Sequence, residues 1–79
     1  MYIVVHVRLN ALLRKYAPRG KAEFCIQVKQ GRTIEDLITE LGIPLSQVGF
    51  ATVNLKYTPD SRTLKRGDEV TLFPPLTGG

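Results

Sequence analysis

One stretch of this sequence carries a sustained helical period. Ile34, Leu37, Ile38 and Leu41 stand at i, i+3, i+4 and i+7, which puts an apolar stripe along one side of a short helix. Such a stripe must be covered, and alternating segments on both sides of the helix supply a sheet to cover it. The flanking residues fix the limits. Gln30-Gly31 signals a turn, and Thr33 followed by Asp36 has the form of a capping box, in which hydroxyl and carboxylate satisfy the first free amides. Gly42 suits the left-handed position after the last turn, Ile43 can fold back on it, and Pro44 prevents continuation.

The alternating segments come next. Residues 2–10 place Ile3, Val5, Val7 and Leu9 on one face, toward the core, and Tyr2, Val4, His6 and Arg8 on the other. A short helical or irregular stretch over residues 11–16 ends at Pro18 and Gly20. Alternation then resumes with Ala22, Phe24, Ile26 and Val28 inward and Glu23, Cys25 and Gln27 outward, so the two strands form a hairpin with an enlarged loop. Residues 50–55 form a third extended stretch. Thr58-Pro59-Asp60-Ser61 is a turn, and Lys65-Arg66-Gly67-Asp68 another, leading into residues 69–73 with Val70 and Leu72 inward and Thr71 and Phe73 outward. One helix across a mixed sheet of four or five strands is an α+β roll of the β-grasp kind, with the first and last strands parallel at its centre.

The length of 79 residues allows one domain and one core. Folding at this size buries only roughly 60% of the surface the unfolded chain exposes, so a deep cavity would remove core the fold needs. Function belongs on the surface or at an end. Enzymatic equipment is missing from the sequence: one histidine, no nucleophile–histidine–acid spacing, no Gly-rich phosphate loop and no metal quartet. His6 and Cys25 are expected to be ordinary surface residues, and Gly67-Asp68 a turn with a left-handed glycine. A single cysteine permits no internal disulfide and suits a reducing compartment. With no secretory signal and no apolar run near 20 residues, the expected location is the cytoplasm, with no membrane partner. The net charge of +4 is concentrated in residues 1–32, but Arg14, Lys15, Arg19 and Lys21 lack the stacking aromatics of a nucleic-acid surface and are expected to be solvated.

The C-terminus differs from the rest. Gly78 and Gly79 lack Cβ atoms, so the last residues are narrow enough to thread a tight channel, and the terminal carboxylate becomes reactive once activated as an acyl-adenylate. Two glycines alone favour the simpler reading of a frayed end. They are not alone: Gly67-Asp68-Glu69-Val70-Thr71-Leu72-Phe73-Pro74-Pro75-Leu76-Thr77-Gly78-Gly79, preceded by Val53-Asn54, resembles the ubiquitin-like sulfur carriers of the MoaD/ThiS family. The Phe-Pro-Pro-x-x-Gly-Gly ending is similar to the molybdopterin synthase small-subunit branch.

The resemblance implies a ubiquitin-like β-grasp domain over residues 1–75 and a flexible tail over residues 76–79. It also implies a cycle. An E1-like adenylyltransferase uses ATP to adenylate Gly79, a sulfur donor converts it to a thiocarboxylate, and the large synthase subunit uses that sulfur to build molybdopterin. The carrier is then a co-substrate that binds no cofactor itself, with Gly79 the reacting residue, Gly78 letting it pass the channel, and Phe73, Pro74, Pro75, Leu76 and Thr77 among the tail and docking residues. Phe73 is expected in an apolar patch with Leu76 and Val4. One position departs from the family: Leu55 stands where glycine often follows Val-Asn. Two other readings are a carrier for thiamine or another thiolated product, which could also modify proteins, and a plain binding module using its basic face.

Overall fold

The computed structural model of the chain describes residues 1–76. Five strands, β1 (Tyr2–Leu9), β2 (Glu23–Lys29), β3 (Phe50–Val53), β4 (Lys56–Thr58) and β5 (Glu69–Phe73), form one sheet in the order β2-β1-β5-β3-β4, and the helix α1 (Ile34–Glu40) follows β2. β1 and β5 run parallel at the centre, and every other neighbouring pair is antiparallel. This is the β-grasp arrangement expected from the alternation and the single stripe. Among the described residues no helix is long and apolar enough to cross a membrane.

Side-chain parity decides which face is covered. Ile3, Val5, Val7 and Leu9 of β1, Val70 and Leu72 of β5 and Ala51 and Val53 of β3 are buried together with Ile34, Leu37 and Ile38 of α1. Burial fades along β2, where Val28 is buried and Phe24 and Ile26 are half-buried, as fits a strand at the sheet edge. The core is completed from irregular segments: Leu13 in the 3₁₀ stretch Ala11–Tyr16, Ile43 after the helix, and Leu64 in the connection to β5.

A helix of seven residues is marginal by itself, so its ends matter. At the front, the Thr33 N–H donates to Asp36 Oδ2 at 2.9 Å and the Asp36 N–H donates to Thr33 Oγ1 at 3.2 Å. The Thr33 backbone bond, opposed by desolvation and aided by the Thr33 hydroxyl and Arg32, holds the Asp36 carboxyl below its ordinary value. At the back, Gly42 takes φ +76°, its N–H donates to the Thr39 carbonyl, and the Ile43 N–H donates to the Ile38 carbonyl. That pair of bonds is a Schellman motif.

Two expectations need correction. The third extended stretch ends at Val53, because Asn54 and Leu55 turn with φ +52° and +73°, and Lys56–Thr58 returns as β4. The next turn also lies one residue later than expected, closed by the Arg62 N–H on the Pro59 carbonyl. The expected flexible tail falls on Leu76, which is exposed, and on Thr77, Gly78 and Gly79, which lie outside the described residues.

Candidate functional site

The central strand β5 is anchored at its start by a buried carboxylate. Gly67, with φ +81°, turns the chain as expected, and the next residue, Asp68, is only 5% exposed. Asp68 Oδ2 accepts from Arg62 Nη1 and from the Lys65 N–H, each at 2.8 Å, while Oδ1 accepts from Asn54 Nδ2 at 3.2 Å. Asn54 Oδ1 in turn accepts from the Glu69 N–H at 3.0 Å. Burial pushes the Asp68 carboxyl up, but the bonds from Arg62, Lys65 and Asn54 and the Arg62 charge outweigh it, leaving the group below its ordinary value. The β3–β4 turn, the connection to β5 and β5 itself thus share one polar latch.

Five residues further on, β5 ends in an aromatic cluster on the face away from the helix. Phe73 lies opposite Phe50 in the β3–β5 register, and the two rings stack with centroids 4.4 Å apart and planes 8° from parallel. Tyr57 of β4, itself exposed, adds a third ring 6.2 Å from Phe50. Toward the middle of the face the side chains shrink and become polar: Thr52 pairs with Thr71, Thr71 with Arg8, and Arg8 reaches Glu23 at 3.2 Å. Pro74 and Pro75 remove two donors from the ladder, and Leu76 stands 87% exposed beyond them.

The structure therefore places Phe73, Pro74, Pro75 and Leu76 at one end of the sheet, where the central strand stops. It separates Val4 from them. His6 pairs with Glu69, so Val4 lies beyond the start of β5, about 20 Å along the strands from Phe73 at the usual rise. The partners of Phe73 are Phe50 and Tyr57, which the sequence reading did not assign to the site. Strand parity carried a signal for Phe50, since Ala51 and Val53 face inward, but Tyr57 became visible only with β4. Thr77, Gly78 and Gly79 lie outside the described residues.

Away from the aromatic cluster, Cys25 is exposed opposite His6, whose Nε2 is 3.8 Å from Glu23 Oε1. The cluster Arg14, Lys15, Arg19 and Lys21 is exposed, with Lys15 Nζ 5.4 Å from the Tyr16 ring centre. Among the described residues no group of three metal-ligating side chains converges. The sheet face thus carries an apolar, aromatic cluster beside the point where β5 ends.

No curated protein matches this sequence. Among solved structures, the chain is similar to a Pyrococcus furiosus protein assigned as molybdopterin converting factor, subunit 1, at 26% identity and TM-score 0.72, covering 94% of this chain and 99% of that one. It is similar to the small archaeal modifier protein 1 of Haloferax volcanii at 19% identity and TM-score 0.74, covering 94% and 99%. The Helicobacter pylori complex of subunits 1 and 2 of molybdopterin-converting factor matches at 22% identity and TM-score 0.63, covering 98% and 100%. The five-stranded mixed sheet with one main helix is thus the ubiquitin-like β-grasp of sulfur carriers and small modifiers. The match to the ThiS family extends over residues 7–79, and the chain belongs to that family.

Proposed function

We propose that the chain is a sulfur carrier acting as the small subunit of a molybdopterin synthase. The Gly79 carboxylate attacks the α-phosphate of ATP held by an E1-like partner, pyrophosphate leaves, and a sulfur nucleophile at the sulfide level displaces AMP to leave a thiocarboxylate. The large synthase subunit then receives the tail and takes the sulfur. ATP belongs to the activating partner, and the carrier needs no resident cofactor.

The observation that carries this reading is the Phe50–Phe73 stack, flanked by Tyr57, at the end of the strand from which Pro74 and Pro75 leave the sheet. An apolar surface rooted beside the exit lets a partner grip the folded body while the narrow end enters its active site. Phe73, Pro74, Pro75 and Leu76 form the dock, and Thr77 and Gly78 the thread. The likeness to a converting-factor subunit 1, and to a complex of subunits 1 and 2, supports the molybdopterin branch and a large-subunit partner. The likeness to a small archaeal modifier favours a second reading, in which the same activated Gly79 is passed to lysines of other proteins.

Incubation with the matching E1-like enzyme, Mg-ATP and a sulfide source should raise the intact mass by about 16 Da, the replacement of one oxygen by sulfur, at Gly79. Deleting Gly79 should abolish the shift and leave thermal stability unchanged. An unmodified carboxylate with a competent enzyme rejects the carrier reading. Isopeptide-linked Gly-Gly on lysines, without product formation by a large synthase subunit, selects the modifier reading.

A further inference from the structure

The described glycines are of two kinds. Gly20, Gly31, Gly42 and Gly67 have φ between +74° and +97°, and a Cβ on any of them would meet nothing within 4 Å. Backbone conformation calls for glycine there. Gly49 is the reverse case. Its φ lies outside the left-handed region, yet a Cβ would fall 2.6 Å from the Pro74 carbonyl oxygen, 2.6 Å from Pro75 Cα and 2.8 Å from Pro75 N. Nothing in the turn requires glycine; the closeness of the two prolines does.

All three contacted atoms are backbone, so no side-chain rotation relieves the overlap, and the rings fix φ at both prolines. Gly49 is itself held on both sides. Its N–H donates to the Phe73 carbonyl at 2.7 Å, a 3₁₀ turn (Leu45–Gln47) closes just before it, and the stacked Phe50 follows it. A side chain at this position would therefore displace the prolines, whose far side leads only to the exposed Leu76.

We infer that Gly49 is a positioning residue: the space left by its missing Cβ is the seat of Pro74 and Pro75, and it sets the direction in which the chain leaves the sheet. The inference deepens the carrier reading and rests on it for its catalytic consequence, though not for its geometry. Pro74 and Pro75 belong to the dock as well as to the exit, but the stack of Phe73 on Phe50, with Tyr57 beside it, does not depend on the seat, so an altered seat should misplace the carboxylate more than it weakens binding. Misplacement by about 1 Å is enough for a rate loss on the order of a hundredfold.

The test is Gly49→Ala in the full chain, with Gly42→Ala as the comparison. By NMR, the wild type should show a nuclear Overhauser contact between Gly49 Hα and Pro75 Hα. In Gly49→Ala the residual dipolar coupling of the Leu76 N–H should change while those of β1 and α1 do not. Gly42→Ala should lower the unfolding midpoint without moving Leu76. With the E1-like enzyme, Gly49→Ala should lose at least about tenfold in kcat for thiocarboxylation, a larger factor than its rise in KM, whereas Gly42→Ala should keep both below its unfolding temperature. An unchanged Leu76 coupling in folded Gly49→Ala overturns the inference, and so does a wild-type kcat. If the wild type is never thiocarboxylated, the carrier reading falls and the Leu76 coupling still decides the seat. If Gly49→Ala does not fold, the wild-type contact decides: its presence supports the seat and its absence overturns it.

Discussion

The β1–β2–α1 side of the molecule and the β3–β4 side attach to the same central strand pair by different means. On the first side, β1 pairs with β2 over seven residues, and the capping box and Schellman motif of the helix join residues no more than five positions apart, with only the Ile34 and Glu35 N–H groups reaching farther, to the Arg62 and Asp60 carbonyls. On the second, β3 and β4 share three pairs, the turn between them has two residues at positive φ, and the side chain that secures it is Asp68, fourteen positions along the chain. One side is stabilised mainly by local motifs and apolar burial. The other, which carries two of the three rings of the aromatic cluster, depends on a long-range polar latch and a ring stack.

The largest effect should come from breaking the apolar side. Leu37 is fully buried at the centre of the helix stripe, and Leu37→Ala should cost roughly 2–5 kcal/mol in denaturant unfolding, enough to leave much of a domain this small unfolded. A midpoint equal to that of the wild type would show that the helix is not what holds this side.

Breaking the latch should cost somewhat less. Asp68→Asn leaves the partly buried Arg62 guanidinium without its charge partner and should lose roughly 2–4 kcal/mol at neutral pH. The sign of the pH dependence follows from the lowered carboxyl: the stabilisation is fully present above the ordinary value of 3.8 and is lost as the pH falls through the lower folded-state value. The unfolding midpoint of the wild type should therefore fall more steeply below about pH 4 than that of Asp68→Asn. Parallel slopes would remove the latch from the comparison.

The two sides were also unequally legible in the sequence. Thr33, Asp36, Gly42, Ile43 and Pro44 lie close together in the chain and each carries its local signal, so the helix and both of its ends could be read directly. The alternation of β1 and β2 was equally plain. The β3–β4 hairpin was not, because its turn is Asn54-Leu55 and lacks the glycine that marks such turns, and Lys56–Thr58 is too short to show a period. The exit from the sheet was visible as Phe73-Pro74-Pro75, but its seat at Gly49 and its stack on Phe50 depend on a register between distant segments, which no local signal encodes. Leu64 was hidden for the same reason, being a core residue within a connection.

Leu55 provides the smallest and sharpest test of the difference. Its side chain is 90% exposed while its backbone sits at φ +73°, so it contributes strain and no packing. Leu55→Gly should raise stability by about 0.5–1 kcal/mol, the relief of strain exceeding the added entropy of the unfolded chain. A loss of stability on thermal unfolding would mean that the turn is better matched to leucine than its φ implies.

The placement of β5 has a consequence for how the chain can acquire its structure during synthesis. Translation delivers the β1–β2 hairpin and α1 first and β3 and β4 later, yet these groups have no strand-to-strand pairing with each other; each pairs only with β5, the last strand of the fold. Until residue 73 is available, the early hairpin carries an open inner edge, and the later one has no ladder to join. The central β1–β5 pairing joins residues more than sixty positions apart, so the rate-limiting event should be closure of that long loop rather than formation of the helix. A chain interrupted within β5 would then leave two disconnected strand pairs with exposed edges, a species prone to associate with its own kind rather than a smaller version of the domain.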